Sequence, residues 1–325
     1  MLMAAGLGTR LVPFTLRTPK PLLPVLGVPL AQFSVDALAN AGVTAIVANV
    51  HHLAHEAITG LHRLELGHAH LAINDERREL QGSAGGLRDG VRTLGGGPVY
   101  LANADVLCDL ELARLAHRHQ ELRHQHGVEL TLAVLPQGAP GGRYRQIHSD
   151  PATGLMTQLG DFAEGTPFFA SLAIVEEGAL AHVPRSGPAE FIPQILLPLL
   201  KQRKVGVFPV QFRWHDIGSP PLWHAMHLDL IRGMESGNLP TAWRQRIVAS
   251  AAALRPGVWV AKADFEHARQ ASQAWVGPCF WSSDGDPNAQ PPVQLGPGGV
   301  IYGDTTPSGA GAPGIGYHGL WQDLP

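Results

Sequence analysis

Over about the first 210 residues, short apolar runs alternate with longer stretches in which apolar positions recur every three or four residues. Residues 1–5 are continuously apolar, as expected of a strand buried on both faces. In 29–41, Leu30, Phe33, Ala37, Leu38 and Ala41 fall on one helical face, and Gly42 supplies a C-terminal stop. The same alternation predicts strands at 45–50, 69–73, 99–103, 129–136, 170–175 and 205–212. It predicts helices at 52–64, 84–93, 110–124, 191–201 and 221–234. Strands separated by helices pack as a parallel sheet with right-handed crossovers, so an α/β, Rossmann-like, doubly wound and mostly parallel sheet is expected. Ligands gather at the carboxyl ends of such strands. Residues 138–169 break the rhythm with Gly and Pro, predicting loops and short antiparallel strands.

The pattern changes again near residue 236. We read 1–235 as a catalytic domain, 236–249 as a linker and 250–325 as a small β-rich region with a flexible Gly/Pro tail. Its short apolar strands, around Trp259, Trp275 and Ile301, are spaced either as an irregular β unit or as degenerate solenoid coils. Trp259, Trp275 and Trp281 are large apolar groups in a segment too small to bury them, so packing on the first domain or on a second copy of the chain is expected.

Composition narrows the function. The 325 residues carry a formal charge of −3, and no basic excess points to nucleic acid. No tract of about eighteen apolar residues points to a membrane span, and no signal peptide is visible. Cys108 and Cys279 form no metal or redox motif, which suits a reducing, cytoplasmic setting. The 17 histidines include His51, His52 and His55 after a strand, and His117, His119, His124 and His126 on a helix. Their spacing completes no metal set, and solvated surface histidine is the reading adopted.

The chemistry concentrates in the first 24 residues. After the opening strand come Ala5, Gly6, Gly8, Thr9 and Arg10, and then Lys20 between Pro19 and Pro21. Glycines lacking Cβ let main-chain N–H groups approach an anion, while arginine adds a planar fork of donors. Lysine adds a point charge on a segment stiffened by proline. Neither the P-loop spacing nor G-x-G-x-x-G is present. Farther on, Asn103-Ala104-Asp105 closes a strand with a carboxylate, and Trp214-His215-Asp216-Ile217-Gly218 puts another on a tight turn. His215 is read as a surface residue.

These stretches resemble the G-x-G-T-R-L-x-P-x-T…P-K-P, N-G-D and W-x-D-I-G-T-P motifs of the sugar-1-phosphate nucleotidyltransferase family. The Leu80–Gly86 stretch is similar to the base-reading turn of its N-acetylmuramate-1-phosphate uridylyltransferases and mannose-1-phosphate guanylyltransferases. The resemblance covers about residues 1–232 and implies a nucleotidyltransferase-type sheet. A left-handed β-helix often follows it, though the hexad repeat here is degraded. It further implies transfer of a nucleotidyl group from an NTP, UTP or GTP with a leaning to UTP, onto a sugar 1-phosphate, with Mg2+.

By that resemblance Arg10 neutralises pyrophosphate and Lys20 contacts the attacking and α-phosphates. Asp105 and Asp216 hold the metal. Ala5, Gly6, Gly8, Thr9, Gly82, Ser83 and Gly85 meet the nucleotide. Glu76 is read either as a base reader or as a solvent-exposed acid in a charged run. The sugar site departs from the pattern: Arg145 is the nearest replacement for a second phosphate-binding lysine, and Ser171 stands where a glycine is usual. Val12 replaces a second arginine. A non-catalytic nucleotide-sugar-binding relative is the rival expectation.

Overall fold

The computed structural model describes residues 1–12, 14–137, 144–255, 258–262, 278–281, 300–302 and 316–317. It divides into two compact units. The first comprises Met1–Leu7, Thr18–Leu22 and Ala31–Trp214, and the second Gly8–Arg17, Leu23–Leu30 and His215–Pro325.

The first unit is built on a large mixed sheet. Strand β1 (Leu2–Met3) lies parallel between β2 (Ala45–Val50) and β4 (Val99–Asn103), and β2 is parallel to the edge strand β3 (His70–Asp75). Beyond β4 come β5 (Leu130–Leu135), the hairpin β6 (Tyr144–Ser149) and β7 (Met156–Ala163), then β8 (Phe168–Val175) and β9 (Val205–Pro209). Strand β8 runs antiparallel to both β4 and β5, whereas β9 is parallel to β5. The mostly parallel sheet expected from the sequence is therefore present, with β8 reversed between β4 and β5. The irregular segment contributes the antiparallel β6–β7 pair.

Side chains on alternate strand positions feed different cores, as the two-residue period requires. Val47, Leu101, Leu132 and Ala173 enter one cluster. Ile46, Ala48, Ala102, Ala133, Leu172 and Ile174 enter another. Sheets buried on both faces read as continuous apolar runs, which is why these strands were visible in the sequence. The helices of this unit are α1 (Leu30–Asn40), α2 (Ala54–Leu61), α3 (Gly82–Leu94), α4 (Leu112–His126) and α5 (Leu197–Lys201). Where one continuous helix is expected at 191–201, a π-helical stretch, Ile192–Leu196, precedes α5. Pro193 and Pro198 each lack the N–H that a regular ladder needs, consistent with the local irregularity.

His119 departs from the surface reading. Leu112, Leu115, His119 and Leu122 form the buried face of α4, so helical spacing alone carries this histidine inward. Its Nδ1 is 2.8 Å from Thr131 Oγ1 and its Nε2 is 2.9 Å from Glu176 Oε1. Glu176 also pairs with Arg123, tying α4 to the end of β8.

The second unit is organised around Trp223 of α6 (Pro220–Ser236), whose side chain is fully buried. Trp223 Nε1 donates to Pro24 O at 3.2 Å, and Phe14 meets its ring edge-on at 5.0 Å. Part of the stretch read as a linker is helix α7 (Thr241–Ser250). It buries Trp243 and Ile247, an i,i+4 pair, behind Pro240 at its N-cap.

Ala251–Arg255, Val258–Ala261, Pro278–Trp281, Val300–Tyr302 and Gly316–Tyr317 form a five-stranded sheet in chain order. Among these described strands only the Pro278–Trp281 and Val300–Tyr302 pair is parallel. The coils of a β-helix stack in parallel, so this sheet follows the irregular β alternative. Trp259 is buried, as its size leads one to expect. Trp275 lies outside the described residues.

Candidate functional site

In the first unit, the carboxyl ends of β1, β2 and β3 are joined by a buried chain of polar groups. Ala4 N–H donates to Asn49 Oδ1 at 2.8 Å, and Asn49 Nδ2 donates to Glu76 Oε1 at 2.9 Å. The other oxygen of Glu76 accepts from Gln81 N–H at 3.0 Å, just before α3. Asn49 and Glu76 are 1% and 5% exposed. Glu76 is therefore not the solvent-exposed acid of the alternative reading. Burial raises its pKa, opposed by the hydrogen bonds from Gln81 and Asn49. Both its oxygens have partners within the protein, so contact with a base would exchange one of these bonds. Asn49 was not singled out in the sequence. The only signal was an amide inside an otherwise apolar strand, which must find partners when buried.

The turn at 82–86 is the start of α3. Gly82 has φ +70°, and a Cβ there would lie 2.6 Å from Ala189 O, so this position calls for glycine. Ala84 N–H and Gly85 N–H both donate to Ala189 O, at 2.9 and 3.1 Å. Ser83 Oγ donates to Glu190 Oε2 at 2.6 Å and accepts from Phe191 N–H at 2.8 Å. Two early helix N–H groups and the serine hydroxyl are thus committed to the 189–191 segment. Gly86 is required for another reason: a Cβ would come within 2.7 Å of Asn49 Nδ2 and 2.9 Å of Glu76 Oε1.

Lys20 and Asp105 meet in this unit. Lys20 begins a 3-10 turn, is 7% exposed, and its Nζ lies 2.5 Å from Asp105 Oδ2. Few lysines are this deeply buried without a partner. The Asp105 side chain is 31% exposed. Ala5 is buried beyond β1, and Gly6 is exposed. Arg145 Nε donates to Gly160 O at 2.7 Å, and its guanidinium stacks over Phe162 with 5.7 Å to the ring centroid. Ser171 has φ +62°, a left-handed conformation rare outside glycine, at a register shift in the β8–β5 pairing. Its neighbour Leu172 pairs with Ala102, three residues before Asp105.

In the second unit, Gly8 has φ +65° and precedes the 3-10 turn Thr9–Leu11. Thr15 Oγ1 and Leu11 N–H both donate to Gly8 O, at 2.8 and 2.9 Å. A Cβ on Gly8 would lie 2.7 Å from Thr15 Cγ2. Thr9 and Arg10 are exposed on this turn. Asp216 and Arg10 converge on Gly218: a Cβ there would be 3.0 Å from Asp216 Oδ2 and 3.1 Å from Arg10 Nη2. His215 is not a free surface residue, because its Nε2 lies 3.0 Å from Asp229 Oδ2.

Both units thus hold one carboxylate from the motifs beside one basic residue from the motifs. Among the described residues, no group of three or more His, Cys, Asp or Glu side chains could cage a metal. A set of one or two carboxylates is nevertheless the usual protein share of a Mg2+ site, whose other positions go to water and substrate phosphates. The residues present therefore fit Mg2+. Among the described residues no helix is long and apolar enough to cross a membrane.

Comparison with known proteins gives a consistent result. Residues 1–154 match the family described as nucleotidyl transferase. Mannose-1-phosphate guanyltransferase of Aspergillus oryzae is 29% identical over 231 residues, 68% of this chain and 60% of that protein. The Saccharomyces cerevisiae enzyme of the same name is 27% identical over 228 residues, 68% of this chain and 61% of that protein. The chain thus spans about three-fifths of the length of these relatives. HddC from Yersinia pseudotuberculosis, solved in complex with GMP-PN, is 17% identical with a TM-score of 0.57, over 70% of this chain and 97% of HddC. At that identity the likeness shows the fold alone.

Proposed function

We propose that the chain is a member of the sugar-1-phosphate nucleotidyltransferase family, which its matches support, and that it transfers a nucleotidyl group from GTP to a sugar 1-phosphate, giving an NDP-sugar and pyrophosphate. The observation that carries the reading is the pairing of buried Lys20 with the partly exposed Asp105 at the carboxyl end of β4. A cation held in place by a carboxylate is already oriented when an anionic substrate arrives.

The sugar phosphate oxygen is the nucleophile and is already an anion, so general-base help is not required. Attack on the α-phosphorus in line with the pyrophosphate leaving group needs positioning and charge neutralisation. Lys20 turns from Asp105 to the attacking and α-phosphates, and Arg10 meets the charge that accumulates on pyrophosphate. Asp105 and Asp216 are the carboxylates that would hold Mg2+. When bound, Mg2+ supplies Lewis-acid neutralisation of phosphate oxygens. Arg145 and Ser171 are assigned to the sugar side. The names of the relatives weigh toward guanine over the uracil first favoured, and toward mannose 1-phosphate as the sugar.

The test is pyrophosphate release with each of the four NTPs, Mg2+ and a panel of hexose 1-phosphates. Release that is fastest with GTP and depends on the sugar phosphate is expected. Faster release with UTP overturns the base assignment, and release with no NTP overturns the activity.

A further inference from the structure

On the outer edge of the sheet lies a cavity of about 590 Å³, between β3, α3 and the segment 185–187. Sites of 300–1,000 Å³ suit small metabolites. It adjoins the turn at Gln81 but stands apart from the Lys20–Asp105 pair within the same unit. Strand β3 stands three places from β4 in the sheet order, roughly 14 Å at ordinary strand spacing.

Its wall carries four arginines, Arg78, Arg88, Arg92 and Arg185, and four carboxylates, Asp75, Glu76, Glu79 and Asp89. The count balances, but the pairing does not. Asp75 is taken by Arg77, which does not line the cavity, with Nε–O distances of 2.7 and 3.0 Å. Glu76 is spent on Asn49 and Gln81. Asp89 is shared by Arg88 at 2.8 Å and Arg92 at 3.3 Å. Glu79 accepts from Gln81 Nε2 at 3.3 Å. Arg185 makes no hydrogen bond or ion pair among the described residues, and Arg78 makes no hydrogen bond there, its charge acting only on the nearby Asp75; both arginines are exposed. Arg92 is held only by its longer contact with Asp89.

Arg88 does a different job. It is 4% exposed, donates from Nη1 to Pro184 O and Gly187 O at 2.9 Å each, and donates from Nη2 to Gln81 Oε1 at 3.1 Å. It therefore builds the cavity wall rather than offering itself to a ligand. One donor in that wall has no acceptor: Asn74 Nδ2 is buried without a hydrogen bond, while Asn74 Oδ1 accepts from Thr93.

We propose that this cavity is a second ligand site, for a phosphate-bearing small molecule whose phosphate is held by Arg78, Arg92 and Arg185. Guanidinium groups from separate segments suit a tetrahedral dianion better than a single planar carboxylate would require. The occupant bridges α3 to the 185–187 segment that Arg88 already clamps.

The probe is inorganic phosphate, titrated by calorimetry into the full chain in the presence of a saturating non-hydrolysable GTP analogue. The same titration is run on Arg78→Ala/Arg185→Ala and on Lys20→Ala. Both arginines are exposed, and an unchanged melting temperature in the double variant verifies its fold. Phosphate binding that survives the GTP analogue and Lys20→Ala, but weakens about tenfold or more in the double arginine variant, is expected. Binding that is abolished by the GTP analogue or by Lys20→Ala would overturn the proposal, because phosphate would then occupy only the nucleotide site. Equal binding in the double variant and the wild type, or no binding in either, would overturn it as well. These outcomes do not depend on turnover, so they stand apart from the proposed activity.

Discussion

Replacing Asn49 with alanine should destabilise the first unit well beyond what loss of one amide suggests. In the wild type, Asn49 Oδ1 accepts from Ala4 N–H and Asn49 Nδ2 donates to Glu76 Oε1, with Asn49 1% exposed. Alanine leaves a buried backbone N–H without an acceptor, which costs about 1–3 kcal/mol. It also deprives a buried carboxylate of one donor, a bond to a charged group worth about 1.5–3 kcal/mol. Together these come to roughly 3–5 kcal/mol, a large part of the 5–15 kcal/mol that holds a domain folded.

Asn49→Asp keeps the shape and the acceptor for Ala4 but places a second carboxylate against Glu76. Burial already holds Glu76 above its ordinary pKa. A like charge raises it further, so a proton binds more tightly in the folded state than in the unfolded one. Stability of Asn49→Asp should therefore rise as pH falls toward the ordinary carboxylate range. Urea unfolding followed by tryptophan fluorescence reads both effects as shifts of the midpoint at constant slope. An Asn49→Ala loss below about 1 kcal/mol, or an Asn49→Asp curve parallel to wild type at every pH, would refute the reasoning.

Other substitutions probe separate parts of the account. Asp105→Asn and Asp216→Asn should each remove most Mg2+-dependent pyrophosphate release, by about a hundredfold or more, while circular dichroism stays unchanged; near-normal kcat at saturating Mg2+ would exclude that residue from the metal site. Burial would raise the pKa of Glu176, yet its hydrogen bonds to Arg123 and His119 outweigh that and hold it below its usual value. Its contribution to stability is thus present above the ordinary carboxylate range and lost as pH falls through the lowered value. Glu176→Gln should be less stable than wild type at neutral pH, with the gap closing in acid; a constant offset in melting temperature would count against the pairing. Ser171→Gly should relieve the left-handed backbone at φ +62° and stabilise the protein by about 0.5–1 kcal/mol, and a lowered melting temperature would show that the serine side chain outweighs the strain.

Much of the sheet was legible because strands buried on both faces leave unbroken apolar runs. Ala45–Val50 and Val99–Asn103 have the bounds that the pattern gave. The reversal of β8 was not legible, since a buried strand reads the same in either direction. His119 was misread by attending to residue type: its place four residues after Leu115 and three before Leu122 was the better guide. Helix α7 was hidden because only Trp243 and Ile247 mark its buried side among polar neighbours. At the candidate site, Lys20 and Asp105 were each visible as motif residues, but their pairing joins positions 85 residues apart and needed the fold. The commitments of Glu76, Ser83 and Gly85 to internal hydrogen bonds were equally invisible, because their partners Asn49, Glu190 and Ala189 come from other elements.

The central claim is that the Lys20–Asp105 pair serves nucleotidyl transfer to a sugar phosphate. The most direct measurement incubates the protein with Mg2+, mannose 1-phosphate and GTP labelled at the α-phosphorus, and follows the label by chromatography. The account predicts that the label moves into a nucleoside diphosphate sugar in the wild type, and that Lys20→Ala lowers the rate by about a hundredfold or more without unfolding the protein. Label that stays in GTP, or appears only as GMP, would contradict it, as would a Lys20→Ala variant that makes the sugar nucleotide at the wild-type rate.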